Sequence, residues 1–191
     1  RGSGTMNVLG FYADRMEDIA FRGKTEKCLL LRRGKSMSPK TIADGKVIVT
    51  ENDTDIQNVE IIERSATGEK FVIIAKQHSA DCTQMQGRRI NGSIDVVRFV
   101  DNYVNHKKVG ETATAIASGI PTYFEDINAA MRQYDAGLLQ TTVKKFIVQT
   151  SIPVKLLDRI VLNGRNYKVT NIDTAKYVDL FDVQVSEDNR K

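Results

Sequence analysis

The 191-residue chain has no tryptophan, only two cysteines and no apolar run long enough to span a membrane. Each shortage excludes a class of protein. Cys28 and Cys82 can supply neither a disulfide framework nor a four-ligand zinc site, so they read as reduced thiols in an intracellular setting. The longest apolar runs, such as Phe71 to Ala75, fall far short of the roughly 20 residues of a helical span, so no membrane partner is expected. A strong excess of one charge is also missing, with 28 Lys plus Arg against 24 Asp plus Glu and a formal charge of +4. Without a clustered basic stripe, that balance does not argue for phosphate neutralisation. What remains is a soluble, cytoplasm-compatible globular protein of one medium domain or two small ones, able to bury a core.

Arg1-Gly2-Ser3-Gly4-Thr5 precede Met6 and read as an expression scar (residues 1–5), outside the fold reasoning. From Met6 to Ala20 the apolar residues Val8, Leu9, Tyr12, Met16 and Ile19 recur at spacings of three and four, predicting a short N-terminal helix. After it the period shortens. Cys28–Leu31, Lys46–Thr50, Val59–Glu63, Phe71–Lys76, Ile94–Val100, Val143–Thr150, Arg159–Leu162, Asn166–Thr170 and Tyr177–Val185 are rich in Val, Ile, Phe and Tyr and are predicted as strands. Turn chemistry separates several of them, including Ala43-Asp44-Gly45, Glu51-Asn52-Asp53 and Ala66-Thr67-Gly68.

The fold class read from this pattern is mainly β: an antiparallel β-barrel or sandwich with a short N-terminal helix, the first half being either a second small β domain or an elaboration of the barrel. Asn163-Gly164 predicts a two-residue hairpin, and Asn91-Gly92 makes a similar case. Residues 101–120, with Asn, His, Lys, Gly and Ser in quantity, suggest a long loop or a domain boundary. Phe124 to Tyr134 fits either a helix or a strand. No fixed-period repeat is visible.

The chain offers little chemistry. Gly23-Lys24-Thr25 and Gly34-Lys35-Ser36 end like phosphate-binding loops but lack the earlier Gly, leaving exposed basic turns. A metal needs three or four converging donors, and beside His78, four residues before Cys82, and His106 no second Cys or carboxylate cluster stands at ligand spacing. Pairing of Cys82 with His78 or His106 stays open, since such partners meet in space, but nothing local activates the thiol. Asp53-Thr54-Asp55 lacks the Gly and Glu of a calcium loop. The basic pairs Arg32-Arg33 (with Lys35), Arg88-Arg89, Lys107-Lys108 and Lys144-Lys145 are dispersed, without interleaved aromatics. No catalytic residue, metal ligand or cofactor is assigned.

From about Ile94 to Val185 the order of elements is more specific. A strand with a charged, Gly-containing turn (Val96-Val97-Arg98-Phe99 through Gly110) leads to an extended segment, Gly119-Ile120-Pro121-Thr122-Tyr123-Phe124. A polar insertion, the strand Lys145-Phe146-Ile147-Val148 and the run Ile152 to Val169 follow. This order resembles the small β-barrel proteins that join head to tail in tailed phages, of the head-closure or minor capsid type. Leu157-Asp158-Arg159-Ile160, Asn163-Gly164 and Tyr167-Lys168-Val169 are similar to that family's Gly-Asp-Arg-Ile, Asn-Gly, Tyr-x-Val signature, with Leu157 where the signature has Gly. The resemblance divides the chain into 6–93, which carries no placed motif, and a head-closure-like barrel at 94–191.

The resemblance implies a non-enzymatic structural protein of the virion neck, assembled in the host cytoplasm. It would form a homo-oligomeric ring between portal or adaptor and tail, with double-stranded DNA passing through without sequence-specific binding. Identical subunits close such a ring through head-to-tail contacts. A tail terminator or tail-completion protein shares this logic; a nucleic-acid-binding β-barrel module and an uncharacterised enzyme are the other classes. The interface candidates are Asn105, Lys107 and Lys108 in the 101–112 stretch, Tyr134, Leu138 and Leu139 in the 132–142 stretch, and Asp158 and Arg159 in the signature. Leu138 and Leu139 are adjacent aliphatics that either plug the core or anchor a partner.

Overall fold

Short β-branched and aromatic runs, punctuated by residues tolerant of positive φ, set the architecture. A computed structural model of the chain describes residues 8–32 and 44–190. The readings of Arg1 to Met6, Arg33, Gly34-Lys35-Ser36 and Ala43 lie outside the described residues. A 3-10 segment spans Val8–Arg15. Among the described residues twelve strands follow: β1 (Glu17–Phe21), β2 (Lys24–Arg32), β3 (Gly45–Thr50), β4 (Ile61–Arg64), β5 (Lys70–His78), β6 (Thr83–Arg89), β7 (Gly92–Val104), β8 (Lys107–Asp126), β9 (Lys144–Gln149), β10 (Arg159–Leu162), β11 (Arg165–Tyr177) and β12 (Leu180–Glu187). One helix, α1 (Ala129–Tyr134), lies between β8 and β9 and is capped by the Asn128 side chain.

The protein is mainly β, and its strands close into two antiparallel barrels, β1-β2-β3-β6-β5-β4 and β7-β8-β9-β12-β11-β10. The chain divides into two compact units between Ile90 and Asn91, where 93/94 was expected. The two orders are the same. β4 returns to pair with β1, and β10 returns to pair with β7. Superposing the Ile19↔Arg64 pair on Ile94↔Leu162 sets buried residue on buried residue: Ile19 on Ile94, Phe21 on Val96, Ile62 on Ile160 and Ile73 on Val169. Even the irregularity coincides. β5 bulges after Ile73 opposite Gly87, and β11 bulges after Val169 opposite Val185, at matching points of the two barrels. The duplication is therefore one of fold, and it escapes a sequence reading because the matched residues share burial but seldom identity.

One tip differs. In the first barrel Phe21 pairs with Lys24 across Arg22-Gly23, whose φ values of 45° and 73° make a tight hairpin turn. In the second, Val96 pairs with Ala117 and the strands run on to a turn at Asn105-His106, with φ 50° and 62°. Residues 97–116 thus stand where the first barrel has two residues.

Several expectations are corrected. The N-terminal stripe is helical only to Arg15, with a kink at Tyr12; Leu9 packs on Leu29 and Val49, while Ile19 enters the barrel core from β1. Pairing on both edges outweighs helical spacing there. The 101–120 stretch is neither a loop nor a boundary, because Val104↔Lys107 and Asn102↔Gly110 are ladder partners. Phe124 to Tyr134 is strand to Asp126 and helix from Ala129. Asn91-Gly92 is not a hairpin, since β6 pairs with β3 and β5 while β7 pairs with β8 and β10. The last predicted strand is broken by a turn at Val178-Asp179, with Val178 exposed. Asn163-Gly164 forms the expected hairpin, with φ 50° and 75°.

Candidate functional site

The element before β10 is built around a buried acid. Asp158 is 2% exposed, and its carboxylate accepts from Arg98 Nε at 2.8 Å, Arg98 Nη2 at 2.7 Å and the backbone N–H of Lys155 at 2.7 Å. A buried carboxylate is tolerable only with partners of this kind. Leu157 immediately before it has φ 69°, a left-handed backbone that costs a non-glycine residue roughly 1–2 kcal/mol. Its N–H donates to the Val169 carbonyl, and Val169 N–H donates back to the Asp158 carbonyl. The left-handed residue turns the chain so that acid and strand meet.

The first barrel carries the same device. Val59 has φ 62°, donates to the Ile73 carbonyl and precedes a buried Glu60, whose carboxylate accepts from Gln57 N–H at 2.9 Å. Arg22, at the short tip, brings Nε within 2.7 Å of Glu60 Oε1, an ionic contact without hydrogen-bond alignment. The latch is looser than Arg98 on Asp158.

Around the root of the long hairpin the second barrel adds a further ionic group. Arg159 Nε donates to Asp188 at 2.8 Å and its Nη2 to the Arg190 carbonyl at 2.6 Å; Arg190 also holds Asp188 and reaches the Leu157 carbonyl. Burial raises the Asp188 carboxyl, but hydrogen bonds from Arg190 and Arg159 outweigh it and hold the group well below the usual carboxylate range. Both guanidinium groups lie over the Phe99 ring, at 4.6 and 4.8 Å, fixing the base of β7.

Beyond Phe99 the chain leaves the barrel. Residues 100–115 are all exposed, so both faces of the β7–β8 ribbon meet solvent, and Val100, Tyr103, Val104 and Val109 are 51–63% exposed. An isolated two-stranded ribbon is marginal in water, so such an arm has no reason in the fold itself. Asn105 and Lys107 lie at its tip. Lys108 bonds Asp101 at 2.6 Å and Glu111 at 2.5 Å, and these two carboxylates raise its pKa. Between the arm root and the 155–157 loop lies a groove of about 600 Å³ lined by Val100, Tyr103, Leu156 and Leu157 among others.

The remaining candidates stand apart from this root. Tyr134 ends α1 at 88% exposure, Leu138 is half-buried and Leu139 is 43% exposed, so neither leucine is a core plug. Their segment is tied down by Arg132, which donates to the carbonyls of Leu139, Gln140 and Thr142, and by the buried Gln184, which accepts from Leu139 N–H and donates to the Gly137 carbonyl. Asp158 and Arg159 are spent on bonds within the barrel. Sequence reasoning missed Arg98, Arg22 and Glu60, which pair across long stretches of chain, and Asp188 and Arg190, which stand two residues apart but belong to no motif.

Burial pushes the Cys28 thiol up to about 12, and His78 Nδ1 pairs with the Thr83 hydroxyl at 2.8 Å. Among the described residues no three His, Cys, Asp or Glu side chains gather as metal ligands, and no helix is long and apolar enough to cross a membrane. Comparison with protein-family models, curated proteins and solved structures finds no match to this chain.

Proposed function

We propose that this protein is a structural component of a tailed-phage neck, a homo-oligomeric ring that joins the portal or adaptor to the tail. The observation that carries the reading is the Leu157 to Val169 element. It pairs β10 with β11 through a tight Asn163-Gly164 turn, and the position where the head-closure signature has Gly adopts a left-handed backbone. Glycine is the residue that such a position favours, so Leu157 departs from the signature in composition while keeping its geometry. The exposed arm adds support, because apolar surface held away from a core serves contacts with other chains. Several basic side chains of the second barrel, including Arg98, Arg159, Arg190, Lys145 and Lys176, are engaged with acids. Such pairing, with the near balance of 28 Lys plus Arg against 24 Asp plus Glu, suits DNA that passes without being gripped.

The test is electron microscopy of virions assembled without the protein. Separate filled heads and tails are expected; intact virions would refute the role.

A further inference from the structure

The groove beside the arm is a vacancy in a sheet. β10 pairs with β7 only from Ile94 to Val97, because the left-handed Leu157 and the turn before it carry the chain away from Arg159. β7 continues through Val104 with no strand of the described residues beside it on that edge, and Leu156 and Leu157, 59% and 62% exposed, line the space. β8 is open on the opposite edge along the arm: it pairs with β9 only from Tyr123 to Asp126, and Lys107 to Ala115 are exposed. Unpaired edges are what natural sheets blunt with charge, yet β8 has no charged side chain from Thr112 to Phe124.

We infer that the β8 edge of one copy pairs with the β7 edge of a second copy, filling this groove, so that arms join head to tail into a continuous sheet. The occupant follows from the geometry. Arms projecting the same way around a rotation axis place β8 antiparallel to the neighbouring β7, and identical chains satisfy both edges, whereas a foreign strand satisfies one. Charge agrees as well. Arg98 and Asp158 neutralise each other at the groove, as do Asp101, Glu111 and Lys108 in large part, leaving a nearly balanced rim for an uncharged strand. A stable pairwise interface takes roughly 20–30 residues a side, more than one arm edge supplies, so closure with two neighbours stabilises what a single contact does not. This assignment rests on the ring reading.

The test uses the full chain with Cys82→Ser, adding Asn102→Cys on β7 and Ala115→Cys on β8. Within one chain these positions lie about 16 Å apart along the ribbon, at ~3.3 Å per residue, beyond disulfide reach. Oxidation at high concentration is expected to give a ladder past dimer in the double variant and none in either single variant. Thr112→Lys with Thr114→Lys, both on exposed positions, should remove the ladder and weaken association by about tenfold or more. No ladder, a dimer from Ala115→Cys alone, or a ladder indifferent to the lysines would overturn the arm pairing. If rings persist by light scattering despite the lysines, the pairing fails and the ring reading stands. If the ladder forms but virions assemble without the protein, the ring reading fails and the pairing stands.

Discussion

The two barrels share strand order, bulge position and acid latch, yet they spend their polar residues differently. The first has an apolar interior of Ile19, Ile48, Ile62, Phe71, Ile73 and Met85, and its ion pairs, such as Arg64 with Glu17 and Lys70 with Glu63, sit partly or largely in solvent. The second buries Asp158, Asp182 and Asp188 against arginine and lysine partners and extends one hairpin into solvent. The shared part is what closing a six-stranded barrel requires. Part of what is unshared, Asp188 with Arg159 and Arg190, lies at the arm root, and buried charge there holds a projecting ribbon at a defined angle, a task that apolar packing alone does poorly because it is non-directional.

The largest expected effect separates the two latches. Arg98→Ala leaves Asp158 buried with only a backbone donor and should destabilise the second barrel by about 3–5 kcal/mol in denaturant unfolding. Arg22→Ala, removing an arginine whose side chain is 59% exposed, should cost the first about 1–2 kcal/mol. Equal losses would mean that the looser geometry at Glu60 has no energetic meaning. Smaller and opposite in sign, Leu157→Gly should raise stability by about 1 kcal/mol, because the left-handed strain goes and little packing is lost from an exposed side chain. Val59→Gly at the matching position should come out near zero, since the half-buried valine forfeits contacts as strain is relieved. The smallest effect on folding is expected from replacing residues 101–111, the exposed part of the arm beyond the Val100↔Thr112 pair, by a two-residue Asn-Gly turn. The shortened chain should keep its circular dichroism and melting temperature; a molten second barrel would show that the arm belongs to the fold.

Much of the fold was legible from period and turn chemistry. β3, β5, β9 and β10 stand close to where alternating Val and Ile put them, and Asn163-Gly164 makes the turn its residue types demand. β1, β6 and β8 were not, for identifiable reasons. Asp18 and Ala20 dilute β1, Gln84, Gln86 and Gly87 dilute β6, and the Thr and Ala of β8 carry weak hydrophobicity on a ribbon with no buried face. The site was legible only in part. Asp158 and Arg159 stood out through the signature, but their partners Arg98 and Asp188 are 60 and 29 residues away, and no local pattern announces a pairing of that range. The duplication was hidden because Glu60 replaces Asp158 and a valine replaces Leu157: the backbone angle and the charge repeat, the letters do not.

The arm also bears on how the second barrel assembles. Its closing strands meet through Asp95↔Val161, 66 positions apart, where the first barrel closes through Ala20↔Glu63 at 43. Treated as open loops, these differ by about 0.4 kcal/mol of closure entropy. A two-residue-turn hairpin forms locally and early, on the order of microseconds, and once zipped it removes its own length from the chain still to be searched. The ribbon that reaches outward in the finished molecule therefore shortens the path to closure, and lengthening it by in-register pairs should slow folding little.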